Sequence, residues 1–260
     1  KAHFTEDVNA IPASFKDKRT TLVVYTPAVP KDHKELNYFQ QNGYEVVKRS
    51  EVLGFITKNT FCLAVAGTHG KTTTSSILAH LLVEAGASVS AFLGGIAENF
   101  NSNLVLKGSE YTVAEADEFD RSFHWLRPWM SVITSTDADH LDIYGTEKAY
   151  LESFRHYTEL IQPGGALVLH TDLAMHEHVQ EGVKVYSYSR DKGDFHAENI
   201  AIENGEITFD FVSPVETVRG ISLGQPIPIN IENSVAAMAI AQLNGCTAEE
   251  LRYGMRTYSG

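Results

Sequence analysis

The stretch FCLAVAGTHGKTTTSSILAHLL, Phe61 to Leu82, constrains this chain more than any other. A continuous apolar run ends at Gly67, a short turn carries Gly70 and Lys71-Thr72, and a helical pattern begins at once. A run that is apolar at every residue reads as a parallel strand buried on both faces. Strand, glycine-bearing turn, Lys-Thr and helix in this order are the context a phosphate-binding loop requires. Gly67 and Gly70 permit backbone conformations that aim amides at phosphate, and the helix N-terminus adds the positive end of its dipole. Lys71 would supply a mobile cation for β- and γ-phosphates, and the Thr72 hydroxyl is placed to ligate Mg²⁺. One departure stands out. The leading glycine of G-x-x-x-x-G-K-[ST] is absent, and Val65 occupies its place.

The remaining pattern predicts a doubly wound α/β fold with a mostly parallel sheet. Apolar strands are expected at ASVSAFLG, YTVAEAD, MSVITST, ALVLH and VKVYSYS, with helical spacing at EKAYLESFRHYTELI. Strands alternating with helices imply helices on both faces of the sheet. HAENIAIENGEITFDFV alternates polar and apolar residues around Asn204-Gly205, which predicts a small appended antiparallel sheet. Two helices should follow, the second opened by Thr247 with Glu250 three residues on. At the front, TLVVYTPAV, DHKELNYFQQNG, YEVVK and SEVLGFIT spell a partial βαβα domain, with Ser50 as N-cap of its last helix. The expected division is 1–58 and 59–260.

Composition narrows the partners. The formal charge of −12, from 21 basic against 33 acidic residues, argues against a nucleic-acid surface. Backbone amides can still bind an anionic ligand inside an acidic protein. Cys62 and Cys246 lie far apart, which fits a reducing cytosol better than a disulfide framework. No apolar run reaches the length of a membrane span. The chain starts without Met and ends abruptly, and is expected to be a fragment of something longer.

Three further clusters fall where apolar strands end, the edge at which open α/β sheets bind ligands. VAEADEFDRSF gathers Glu115, Asp117, Glu118 and Asp120. Such carboxylates are costly unless a cation neutralises them, and oxygen ligands suit Mg²⁺; a solvated acidic loop is the plainer alternative. TSTDADHLDIYG brings Asp137, Asp139, His140 and Asp142, with His140 either structural or in contact with metal or phosphate. NIENSVAAMA places Asn230 and Asn233 on one helix face, where they would cap the helix or read an adenine edge.

GTHGKTTT, EADEFD, DADHLD and NIENSVAA, in this order, resemble the Mur ligases, ATP-dependent peptide-bond-forming enzymes of bacterial wall synthesis, over nearly the whole chain. That family uses G-T-x-G-K-[ST], which accounts for the absent glycine. Within it, His69, EADE.D and VVYTPAVPKDHKEL resemble the branch that joins L-alanine to UDP-N-acetylmuramate. The alternatives are the recycling branch that adds a ready-made tripeptide, a P-loop phosphotransferase, and a non-catalytic nucleotide-binding fragment. The resemblance implies a cytoplasmic bacterial enzyme that takes ATP, Mg²⁺, UDP-N-acetylmuramate and L-alanine. It implies that Gly67, Thr68, His69, Gly70, Lys71, Thr72 and Thr73 hold the nucleotide phosphates, with Asn230 and Asn233 at the adenine. Thr72 and Glu115 would hold one Mg²⁺, Glu115 and His140 a second, and Lys71, Glu115 and His140 would carry catalysis. Asn99, Asn103, Arg121 and Ser122, by their place near the acidic cluster, are candidates for the muramoyl site.

Two departures from the family pattern matter. Ile229 stands where members often have His, and Arg155 aligns with a lysine that several members carbamylate, a modification arginine cannot form. Full-length members have three domains. The chain matches the end of the first and all of the second, so it is expected to bind nucleotide weakly and not to complete ligation alone.

Overall fold

The computed structural model describes residues 6–260. It divides into two compact units, Lys1–Ile56 and Thr57–Gly260.

In the first unit, β1 (Leu22–Tyr25) and β2 (Glu45–Lys48) pair in parallel around α1 (Lys34–Gln41). Gly43, at φ 69°, closes α1 in the left-handed conformation that favours glycine. Tyr44 is buried, with its hydroxyl donating to the Lys16 carbonyl at 2.9 Å and its ring edge-on to Phe39. α2 (Arg49–Thr57) begins one residue before the expected cap. Ser50 lies inside the helix, and the Glu51 carboxylate accepts the Lys48 N–H instead.

The second unit is built on β3 (Phe61–Ala66), α3 (Lys71–Glu84), β4 (Val89–Ala97), β5 (Ser102–Leu106), β6 (Tyr111–Ala116) and β7 (Pro128–Ile133). It continues through the single turn α4 (Leu141–Tyr144), α5 (Glu147–Thr158), β8 (Ala166–His170) and β9 (Lys184–Tyr188). These strands form a seven-stranded sheet in the order β5-β4-β6-β3-β7-β8-β9, parallel throughout except for β5. β5 was not expected: it is short, mostly exposed and paired antiparallel at the edge, so it lacks the apolar run that marks the buried strands.

β3 runs through the middle, and every residue from Cys62 to Ala66 is buried. Burial raises the Cys62 thiol to about 12, so it behaves as a small hydrophobe. Side chains alternate across β7. Met130 meets Asn244 at the end of α6 (Asn230–Leu243), whereas Ser131 bonds the Tyr157 hydroxyl of α5 at 2.8 Å. Helices therefore cover both faces, as the alternating pattern predicts.

β10 (His196–Glu203), β11 (Glu206–Val212) and β12 (Thr217–Ser222) make the antiparallel sheet. Asn204 and Gly205 have φ of 52° and 82°, the pair of positive values that a two-residue type I′ turn needs. α7 (Ala248–Thr257) opens with a complete capping box: Thr247 accepts from the Glu250 N–H, and the Glu250 carboxylate accepts from the Thr247 N–H. α3 packs on α6 and α7, and the core runs from these helices through the central strands.

Parallel register fixes where the site lies. Ala66 pairs with Ala116 on one side and Ile133 on the other. The loops after β3, β6 and β7 thus leave the sheet at one edge, side by side.

Candidate nucleotide site

The phosphate loop, residues 67–70, is pinned to the segment after β7. The Thr68 N–H donates to the Ser135 carbonyl at 3.2 Å and the His69 N–H to Ser135 Oγ at 2.8 Å. Thr68 Oγ1 meets the Asp137 carbonyl at 2.8 Å and the Tyr150 hydroxyl at 2.9 Å. These two amides are therefore committed within the protein. The amides of Lys71, Thr72 and Thr73 meet no acceptor among the described residues, as the first turn of a helix leaves them. They, with the dipole of the fourteen-residue α3, are the donors presented to an anion.

Both glycines are required by geometry. A β-carbon on Gly67, at φ 132°, would lie 2.1 Å from Thr134 Oγ1 and 2.8 Å from the Ser135 nitrogen. At Gly70, φ 79°, it would meet Asn233 Oδ1 at 2.9 Å. Gly67 supplies the close approach without any glycine at Val65.

The Lys71 ammonium has partners within the protein. Its Nζ donates to the Gly67 carbonyl at 2.6 Å and to both Glu118 oxygens, at 2.8 and 3.1 Å. Glu118 is only 2% exposed and Lys71 16%. The buried carboxylate of the acidic cluster is thus neutralised by the loop lysine. The Glu118 carbonyl in turn accepts from the Tyr144 hydroxyl. Burial raises Tyr144, keeping it a neutral donor.

Glu115 and Thr72 do come together. Glu115 Oε2 accepts from Thr72 Oγ1 at 3.2 Å, while Oε1 accepts from Ser75 Oγ at 3.2 Å and the Gly94 N–H at 2.5 Å. A β-carbon on Gly94 would strike this carboxylate at 2.6 Å. Sequence reasoning passed over Ser75 and Gly94. Ser75, three residues after Thr72 on α3, and the glycine pair in FLGGIA were the available signals. Thr72 and Glu115 offer two hard oxygen donors beside the phosphate loop, the set Mg²⁺ takes together with phosphate oxygens and waters. The residues fit that ion.

His140 makes its own contacts. It opens α4 at φ 51°, packs edge-on to Phe119 at 5.2 Å, and sets Nε2 3.8 Å from Asp139 Oδ2. Among the described residues no group of three His, Cys, Asp or Glu side chains could hold a metal. Arg155 is also held apart, bonded to Glu152, Glu159 and His178. The His69 side chain is 73% exposed, 3.7 Å from an exposed Asp137, a contact of small energetic weight.

Asn230 and Asn233 are neighbours at 3.3 Å, as their spacing requires. Asn230 is buried and bonded to Gln225, and Asn233 faces Gly70 and Thr74. Neither lines the adjoining cavity of about 370 Å³, whose walls include Thr136, His170, Asp172 and Glu232. Of the four proposed substrate residues, Asn99 spends its amide on the Thr257 carbonyl and the Ser259 N–H. Asn103 lies exposed on β5 and Ser122 half-buried. Arg121, at φ 55°, stacks over Tyr144 at 4.7 Å.

A central parallel strand feeding a Gly-Thr-His-Gly-Lys-Thr loop, with hydroxyl and carboxylate donors at its mouth, defines a phosphate-loop α/β protein. The Mur ligase middle domain model matches residues 65–241, and the chain belongs to the Mur ligase family. It is 59% identical over 99% of its length to the UDP-N-acetylmuramate–L-alanine ligase of Phocaeicola vulgatus, covering 57% of that protein. To the enzyme of the same name from Parabacteroides distasonis it is 56% identical, covering 56%. The chain thus spans a little over half the length of the curated relatives it matches. Among solved structures, the UDP-N-acetylmuramate-alanine ligase of Thermotoga maritima superposes with TM-score 0.79 at 24% identity, covering 92% of this chain and 55% of that one. The UDP-N-acetylmuramate:L-alanyl-γ-D-glutamyl-meso-diaminopimelate ligase of Neisseria meningitides gives 0.77 at 23%, covering 91% and 79%. These two likenesses show the fold alone. No helix of the described residues is long and apolar enough to cross a membrane.

Proposed function

We propose that this chain is the ATP-binding part of a cytoplasmic bacterial ligase that joins L-alanine to the carboxylate of UDP-N-acetylmuramate. On this reading residues 59–260 form the central ATP-binding domain and 1–58 the end of the uridine-nucleotide domain. The observation that carries it is the Thr72–Glu115 pair at the mouth of the Lys71 loop. A phosphate grip beside hard oxygen donors is what activating a carboxylate by ATP requires. The named relatives above 50% identity support the choice of L-alanine.

A carboxylate is a poor acyl donor. Transfer of the γ-phosphoryl group makes it an acyl phosphate, which the amine of L-alanine attacks. Phosphate then departs through a tetrahedral intermediate. The amides of Lys71, Thr72 and Thr73 and the dipole of α3 hold the phosphates and stabilise charge as it moves. Thr72 and Glu115 would hold Mg²⁺, which shields the phosphate charge when bound. No covalent enzyme nucleophile is needed.

Product identification on the intact enzyme, given ATP and UDP-N-acetylmuramate with L-alanine or the tripeptide in turn, tests this. L-Alanine-dependent phosphate release is expected. Turnover with the tripeptide alone would overturn the choice of acceptor, and failure of this chain to bind Mg²⁺–ATP would overturn the reading.

A further inference from the structure

Three acceptors lie within hydrogen-bond distance of the Lys71 ammonium: the Gly67 carbonyl and both oxygens of Glu118. The ammonium cannot reach a phosphate oxygen without giving up at least one of these bonds. Glu118 is nearly sealed from solvent, so water cannot readily take the place of the bond released. The Glu118 residue is also held at its backbone. Its backbone carbonyl accepts from the Arg121 N–H at 3.0 Å and from the Tyr144 hydroxyl, and Tyr144 is clasped by the Arg121 guanidinium.

Resting on the ATP-binding reading above, we propose that Glu118 is a positioning residue that latches Lys71 away from the phosphates, so that a polyphosphate must compete for the ammonium. Two consequences follow from simple electrostatics. The latch keeps a buried lysine charge compensated in the empty protein. It also sets a negative charge one ammonium away from where the β- and γ-phosphates would sit, which weakens the grip on any polyphosphate. Removing that charge should therefore tighten ATP binding while making the empty protein less stable. A purely structural role predicts the opposite for ATP, because a loosened loop binds more weakly.

The test measures binding of Mg²⁺–ATP and of AMP to the 260-residue chain by calorimetry, for wild type and Glu118→Gln. AMP lacks the phosphates that would compete for Lys71. We expect Glu118→Gln to bind ATP about tenfold tighter with AMP unchanged. It should also melt at a lower temperature when empty and gain more from ATP than wild type does. An ATP affinity that is unchanged or weaker in a folded variant overturns the latch alone. Wild type that binds no ATP overturns both the latch and the nucleotide reading. If Glu118→Gln fails to fold, Glu118→Asp keeps the charge but withdraws it by one methylene. ATP should then bind several-fold tighter, and an unchanged affinity again overturns the proposal.

Discussion

Thr72 Oγ1 and Glu115 Oε2 lie 3.2 Å apart although 43 positions separate them in sequence. The contact exists because β3 and β6 pair in register, with Val65 opposite Glu115. Strand pairing thus delivers a hydroxyl from a helix start to a carboxylate at a strand end.

Glu115→Ala should lower Mg²⁺-dependent ATP affinity about 10- to 100-fold, the effect of losing a charged ligand partner. It should also lower the melting temperature, because the Gly94 N–H and Ser75 hydroxyl lose their acceptor. Thr72→Val should lose affinity without that melting cost, and Thr72→Ser should retain it. Calorimetry with and without Mg²⁺ separates these outcomes; equal affinity for ATP in Thr72→Val and wild type would sink the assignment.

Gly67→Ala should be among the most damaging small substitutions in the chain. The added carbon meets Thr134 Oγ1 at 2.1 Å, and φ 132° is strained for any side chain. A loss of about 2–3 kcal/mol is expected, near 4–12 °C in melting temperature for a unit of this size. Thermal unfolding followed by circular dichroism checks it.

Thr247→Ala removes one half of a capping box far from the loop. Destabilisation of about 1 kcal/mol is expected with ATP affinity unchanged. Parallel melting and binding measurements would expose any hidden link to the site.

His170 and Glu232 meet at 2.9 Å in the wall of the 370 Å³ cavity. The Glu232 carboxylate raises His170 above 6.5 against the opposing pull of burial, with Asp172 adding to the rise and Lys192 opposing it. The same bond lowers Glu232 below 4.5, again against burial. A raised histidine gives stability that is complete below its unfolded value and lost as pH rises through the folded one. A lowered carboxylate gives stability present above its unfolded value and lost as pH falls through the folded one. The pair should stabilise most between about pH 4.5 and 6.5. Glu232→Gln should remove that window and return His170 toward its ordinary titration, which NMR of the imidazole protons would follow. A midpoint unmoved by the substitution would discount the pairing.

Much of this was legible in the sequence because the signals are local. Asn204-Gly205 specifies a turn within two residues, and Thr247 with Glu250 specifies a cap within four. The FCLAVAG run declares a buried strand without reference to anything else. What escaped was non-local. Nothing near Lys71 announces Glu118, 47 positions away, and nothing near His140 says that its ring will rest on Phe119. Asn99 read as a ligand residue by its place near the acidic cluster, whereas its amide is consumed by the backbone at 257 and 259. Ser50 failed as a cap because the helix already begins at Arg49, with the Glu51 carboxylate accepting the Lys48 N–H.

The near-contact of Gly67 with Thr134 has one more implication. Together with the bonds from Thr68 and His69 to Ser135, it casts the loop against the end of its neighbouring strand. The donors of residues 71–73 therefore have their directions when the sheet folds, before any phosphate arrives. Little ordering of these three amides remains to oppose binding, so they form a mould set by the sheet itself.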